Sequence, residues 1–263
     1  MTKTHAVGFK RGDGAQSDAA RLVWILDQLA QRSAVRVLKA FALEQLAPRA
    51  GDVALDVGSG TGEDVAALRD LVERAVGVEP HEGLRAESVR RFPGLEVVDG
   101  DALALPFEDE SFDVIRCERV LQHIAEPSRA VAEMARALRP GGRIALIDTD
   151  WGTALLHPVI PDIYDRLTAS MLADSPNPYS GRTLRALLVN AGLNVTAETA
   201  ATWIESQDGA RQGVAPAMIE AGAAGGVITP SEAEAFTHTL TEAAARGAFH
   251  MSLTMYAVTA VKP

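Results

Sequence analysis

From residue 53 onward, short apolar runs alternate with amphipathic stretches, and this alternation predicts a parallel sheet with helices packed on it. The runs at 53–57, 74–78, 95–98, 112–116 and 143–147 read as strands. Between them, 63–72, 82–91 and 126–138 read as helices, with a further short helix carrying Leu121 and Ile124 and a turn at Pro140-Gly141-Gly142. Upstream, Leu22, Ile25, Leu26 and Leu29 fall at helical spacing within a helix over 19–31, for which Ser17-Asp18 offers a cap. A second helix follows over 33–46. Downstream, the pattern predicts helices over 160–173 and 180–191, a strand over 193–203, a long helical insertion over 208–248 and a last strand over 252–261. The chain thus divides into an N-terminal helical segment, 1–48, a sheet-forming core, 49–150, and a remainder, 151–263, with insertions at about 151–180 and 208–248.

Polar residues gather at the carboxyl ends of the expected strands: Asp56, Glu79, Asp101, Cys117 to Arg119, and Asp148 to Trp151. Open α/β sheets bind ligands at that edge. The first strand runs into Asp56-Val57-Gly58-Ser59-Gly60-Thr61-Gly62 and then into a helix opening with Glu63-Asp64. Such glycines allow a tight turn and a close approach of ligand to backbone. Glu79 follows Asp56 by 23 residues, at the tip of the next strand, where an acid can accept hydrogen bonds from ribose hydroxyls. The glycines sit at alternate positions, unlike the dinucleotide fingerprint, and no phosphate loop of the ATPase type is present. No Lys or Arg lies between Val53 and Leu68 to neutralise a pyrophosphate. An acid beside the turn favours a ligand bearing an ammonium or sulfonium group.

Charge and composition narrow the field. The 263 residues carry 25 basic and 35 acidic side chains, a formal charge of −10, which argues against a nucleic-acid partner. One cysteine, Cys117, permits no internal disulfide and suits a reducing compartment. No apolar stretch approaches the roughly 18–20 residues of a membrane span. The expectation is a cytoplasmic protein, monomer or homodimer, with a small-molecule substrate and without a membrane partner. No zinc-ligand spacing is present, and Asp148 and Asp150 share a strand face without further metal ligands in view, so no metal is expected.

The ordered set Val53 to Glu63, Val76-Gly77-Val78-Glu79-Pro80, Gly100 to Phe107, Ser111 to Ile115 and Leu138 to Arg143 resembles the class I S-adenosylmethionine-dependent methyltransferases. The closest subgroup is that of small-molecule enzymes of quinone and natural-product biosynthesis. The resemblance implies a Rossmann-like fold: a seven-stranded, mostly parallel sheet with helices on both faces, its last strand antiparallel, plus helical cap insertions. It implies S-adenosylmethionine as cofactor, with S-adenosylhomocysteine as product. By residue, it assigns Glu79 to the ribose, Asp101 to the adenine, and Asp56 with Gly58 and Gly60 to the amino-acid end, with Ser59, Gly62, Pro80 and Ala102 as further cofactor-binding residues. Glu118 and Arg119 fall beside the methionine moiety. The N-terminal helices and both insertions are expected to roof the pocket, residues 1–16 closing over bound cofactor. Trp24, Trp151, Tyr164, Tyr179 and Arg182 are the candidate acceptor-pocket residues, Arg182 equally suiting a structural role. His123 and His157 are the candidate bases, His123 also suiting a structural or cofactor-side position. The acceptor atom is left open among O, N and C, and catalysis is expected chiefly from positioning. Two alternatives stand beside methyl transfer: a cyclising, decarboxylating or hydroxylating enzyme of the same fold, and a cofactor-binding regulator.

Overall fold

The computed structural model describes residues 16–263. The expectations for residues 1–15 and for the Ser17 and Asp18 side chains lie outside the described residues. The chain begins with α1 (Gln16–Ala30) and α2 (Ser33–Leu46). The core follows as β1 (Val53–Val57), α3 (Glu63–Arg69), β2 (Arg74–Val78), α4 (Glu82–Arg91), β3 (Glu96–Val98) and β4 (Phe112–Glu118). A 3-10 turn, Leu121–His123, leads to α5 (Pro127–Ala137) and β5 (Leu138–His157). Next come α6 (Pro161–Asp174), α7 (Ser180–Asn190) and β6 (Asn194–Ile204). The chain closes with α8 (Gly209–Gln212), α9 (Val214–Ala224), α10 (Pro230–Ala245) and β7 (His250–Val261).

Among the described residues seven strands form one sheet in the order β3-β2-β1-β4-β5-β7-β6. β1 to β5 pair in parallel, while β7 runs antiparallel to both β5 and β6. The strand order reverses beside β1, and that switch point opens a crevice at the carboxyl edge. Both faces of the sheet are covered, which explains the near-continuous apolar runs of the parallel strands. On one face Leu55, Val78, Ile115 and Leu146 pack with Val131 and Met134 of α5 and Leu184 and Leu188 of α7. On the other, Ala54, Val114, Ala145 and Ala257 meet Val35, Leu38, Ala42 and Leu46 of α2 and Val65 of α3. The α2 residues recur at intervals of three and four, the apolar stripe of a helix lying on a core.

Three expected boundaries shift. The strand expected over 143–147 extends from Leu138 to His157, because β7 supplies partners along its length, out to His157 opposite His250. Residues 151–157, expected to start a helical insertion, are therefore strand. Pro140-Gly141-Gly142, expected as a turn, lies inside this strand as an irregularity. Gly141, at φ 75°, donates to the Lys262 carbonyl at 2.8 Å, so β7 continues the pairing that β4 interrupts. The long insertion breaks into α8, α9 and α10, at Gly213 and at the Gly225-Gly226 turn. With α6 these helices build a separate core from Leu167, Ile219, Phe236 and Leu240.

A register shift in β5 between Asp150 and Leu155 marks a bulge just past the sheet's functional edge. Bulges re-aim side chains next to active sites. Here Thr153 fixes it, its hydroxyl donating to the Asp150 carbonyl at 2.7 Å and accepting from Thr254 N at 2.9 Å.

The stripe on α2 can be tested by neighbours. Leu38 is fully buried while Val37, beside it, is 57% exposed. Leu38→Ala should cost about 2–5 kcal/mol in denaturant unfolding, as large-to-small core changes do. Val37→Ala should stay within about 0.5 kcal/mol.

Candidate active site

The glycine turn is built by backbone that only glycine adopts cheaply. Gly58, Gly60 and Gly62 have φ of 74°, 54° and 81°. A Cβ on Gly58 would collide with the Val120 side chain, so the turn is pressed against the segment following β4. Gly58 N and Ser59 N both donate to the Val78 carbonyl, at 2.8 and 3.0 Å, tying the turn to the tip of β2.

Glu79 carries that tie further. Its carboxylate accepts Gly60 N at 3.0 Å and His81 N at 2.9 Å, one on each oxygen. It is 5% exposed, and burial raises its pKa against the pull of these donors. Arg85 donates to the Glu79 carbonyl at 2.7 Å, and His81 Nδ1 caps α4 by accepting Leu84 N at 3.3 Å. Pro80 is half-buried between them. At the tip of β3, Asp101 is exposed and accepts Leu103 N at 2.9 Å, while Ala102 is buried. Ser59 Oγ is buried beside the turn without a hydrogen-bond partner.

Beneath the turn lies a charge cluster whose centre the sequence did not single out. Arg116 of β4, 8% exposed, faces Asp56 of β1 at 3.5 Å and also pairs with Asp64 of α3. It donates to Glu118 at 2.6 Å. Lys39 of α2 reaches Asp64 at 2.7 Å and Glu118 at 3.6 Å. Burial first, moderated by Arg116, raises the Asp56 pKa to about 7. The available signal was a cation at an inward position of the apolar strand Phe112 to Glu118. Arg119 donates Nε to Glu118 at 3.1 Å, holds a left-handed φ of 55°, and leaves Nη1 buried without a hydrogen-bond partner.

A second hub forms around Asp148, which has no exposed surface. It accepts Gln122 N at 3.0 Å, Thr149 N at 2.8 Å and the Ser180 hydroxyl at 3.0 Å. Burial outweighs these donors and raises its pKa to about 7. Gln122, also unanticipated, returns Nε2 to the Arg119 carbonyl at 3.3 Å and accepts Trp151 Nε1 at 2.9 Å. Trp151 is thereby aimed into a cavity of about 20 Å³ with Tyr164, Thr168, Met171, Met218 and Met251 on its walls.

The structure does not gather all the expected pocket residues. Tyr179 and Arg182 lie outside that cavity's lining: Arg182 pairs with the buried Asp150, its guanidinium 4.7 Å from the Tyr179 ring. This is the structural alternative for Arg182. Trp24, on α1, is 52% exposed and outside the same lining. His157 is exposed at the far end of β5, seven residues beyond Asp150, because the strand carries it outward. His123 ends the 3-10 turn two residues after Leu121. Although exposed by area, it is crowded by protein, and desolvation followed by the Arg119 charge lowers its pKa to about 4.

A sheet of this order, with a glycine turn and an acid at the tip of β2, defines a Rossmann-like cofactor-binding protein. Residues 55–146 match the model of a methyltransferase domain. A 37.1 kDa protein in transposon TN4556 of Streptomyces fradiae is 35% identical over 204 residues, covering 73% of this chain and 58% of that protein. The ubiquinone/menaquinone biosynthesis C-methyltransferase UbiE of Roseobacter denitrificans is 33% identical over 166 residues, 59% of this chain and 64% of that protein. The chain thus spans about six-tenths of the length of these two relatives. In fold, geranyl diphosphate C-methyltransferase from Streptomyces coelicolor A3(2) aligns with TM-score 0.54 at 15% identity, over 98% of this chain and 87% of that one. Over residues 55–146 the chain is thus similar to a methyltransferase domain, and its sheet has the fold of solved methyltransferases.

The Asp148 hub generates a prediction about pH. With its pKa raised, the folded chain holds this proton more tightly than the unfolded chain does. The stability it contributes is greatest at low pH and declines as pH rises from the unfolded carboxyl value, about 4, towards about 7. Denaturant unfolding at about pH 5 and about pH 7.5 should show a smaller loss across that interval in Asp148→Asn than in the parent. Equal losses would contradict the assignment.

Proposed function

We propose that this protein transfers the methyl group of S-adenosylmethionine to a small-molecule acceptor. The observation that carries the reading is Glu79: a buried carboxylate at the tip of β2, oriented by two backbone donors and adjoining a glycine turn. The residues fit a nucleoside cofactor without phosphate. An acid, rather than a Lys or Arg, stands at the place a ribose diol would approach, and the positive-φ glycines give it room.

In this reading Glu79 and the Pro80 backbone hold the ribose, and Asp101 and Ala102 meet the adenine. Asp56, the turn from Gly58 to Gly62, Glu118 and Arg119 hold the amino-acid end. Bound S-adenosylmethionine supplies a methyl group already activated by its sulfonium. The protein's task is then to orient, desolvate and exclude water, and good alignment is worth roughly 7–11 kcal/mol of barrier. Gln122 supports that task by fixing Trp151, and with it one wall of the cavity under α6 and α9. An acceptor filling that cavity is largely apolar. Any local proton acceptor needs to be unprotonated near pH 7, and His123 meets that condition because its pKa is lowered.

Incubation with methyl-labelled S-adenosylmethionine and a panel of phenols, amines and enolisable acceptors tests the activity. The product should gain about 14 Da, the mass of one CH2. An acceptor converted without that gain would favour a non-methylating enzyme of this fold.

Two variants probe the roles. Glu79→Gln should weaken S-adenosylhomocysteine binding by tenfold or more in calorimetry, since hydrogen bonds to a charged group contribute roughly 1.5–3 kcal/mol each. A change below about threefold would remove the ribose assignment. For His123, the lowered pKa leaves no ionisation of its ring between about pH 6 and 8. Single-turnover rates of the parent and His123→Ala, with cofactor saturating, should therefore run parallel across that range. A parallel loss above about a hundredfold would make His123 the essential base, and a changed profile would contradict its lowered pKa.

A further inference from the structure

Arg32 occupies the junction between α1 and α2, and its side chain turns inward. The guanidinium carbon lies 3.1 Å from the Trp203 ring centroid, stacked near the end of β6. Its nearest carboxylate, Glu205, stands 3.6 Å away, too far for a hydrogen bond. Both sides of this loose pair are incomplete: Arg32 Nη1 and Glu205 Oε2 are each buried without a hydrogen-bond partner. Arg119 Nη1, in the same condition, belongs to a guanidinium close enough to repel Arg32. Desolvation and that repulsion outweigh Glu205 and lower the Arg32 pKa to about 10. A buried charge without full pairing is costly, and a group left unsatisfied in a native chain calls for an explanation, a bound ligand, ion or water among them.

The surroundings define what completes this one. Trp203 packs with Ala34 and Leu253, and against Trp151, Ala154 and Val214. Those last three also line the cavity holding Tyr164, Thr168 and the methionines. Trp203 and its cluster back the chamber wall, so Arg32, stacked on Trp203, stands directly behind that wall, within reach of the Arg119 charge. Thr168 Oγ1, on the chamber wall, is a further buried polar atom without a partner. A guanidinium with an unsatisfied Nη1, backed by an indole, matches a flat carboxylate with an apolar ring or chain attached.

We propose that Arg32 anchors an acceptor subsite for an organic acid, its anionic group on Arg32 and its apolar body against Trp203, Trp151 and the cavity. The word acceptor rests on the methyl-transfer reading; the anion subsite does not. At about 20 Å³ the cavity holds a single water, so an organic body enters with movement of α6 and α9, which line it.

The test uses two probes with one ring system, 2-naphthoate and 2-naphthamide, titrated with and without saturating S-adenosylhomocysteine. The parent should bind the naphthoate at least tenfold more tightly than the amide. Arg32→Gln should reduce that preference below threefold while S-adenosylhomocysteine affinity and thermal melting stay unchanged. Glu205→Gln, which removes the competing carboxylate, should tighten the naphthoate and keeps the proposal testable if Arg32→Gln folds poorly. Equal binding of both probes by the parent, a preference that survives Arg32→Gln, or no tightening in Glu205→Gln would overturn it. Failure of S-adenosylhomocysteine to bind would instead count against the cofactor reading, and the titrations without it would still decide the role of Arg32.

Discussion

One guanidinium is buried where a sheet, a glycine turn and two helices meet. Arg116 lies on the face of β4 that α2 and α3 cover, and it faces carboxylates from β1, α3 and its own strand. Lys39 draws α2 into the same cluster. Removing such a charge from water costs several kcal/mol, and only close pairing offsets it. The arrangement therefore depends on all its members being present together. It fixes Asp56 and Glu118 in place and joins α2 to the floor of the crevice. The glycine turn can then be strained and open, because what lies under it is rigid.

Above that floor the chain uses backbone donors to position acids. Glu79 is aimed by Gly60 and His81, and Asp148 by Gln122, Thr149 and the Ser180 hydroxyl. Both carboxylates are buried, and burial pulls both pKa values upward. They differ in what surrounds them. Glu79 adjoins the glycine turn, whereas Asp148 is enclosed and links the turn after β4 to the start of α7. In the proposed reading the first is a recognition group and the second a brace. The helices outside the sheet layers are built on other principles: α6, α8, α9 and α10 share an apolar core of their own, carried on the extension of β5 and the start of β7.

The sheet core was legible because its signals are local. Apolar runs, Gly58, Gly60 and Gly62, and acids at strand tips placed β1 to β4 within two residues of their observed bounds. β5 was not legible beyond residue 147, since its continuation is decided by pairing with β7, about a hundred residues later in the chain. The same limit hid Arg116, Gln122 and Arg32. Each acts through partners brought near by the fold, from Asp64 to Arg116, from Trp151 to Gln122, and from Trp203 to Arg32. His157 poses the opposite case. Its residue type fitted the chemistry, but the extended strand carries it to an exposed end.

The central claim is that the crevice at the β1–β2 edge is made for a sulfonium nucleoside and not for a phosphate-bearing cofactor. Calorimetric titration of the parent protein with S-adenosylmethionine, and separately with NAD, tests it most directly. The account predicts saturable one-to-one binding of S-adenosylmethionine and no binding of NAD. Saturable binding of NAD, with none of S-adenosylmethionine, would contradict it.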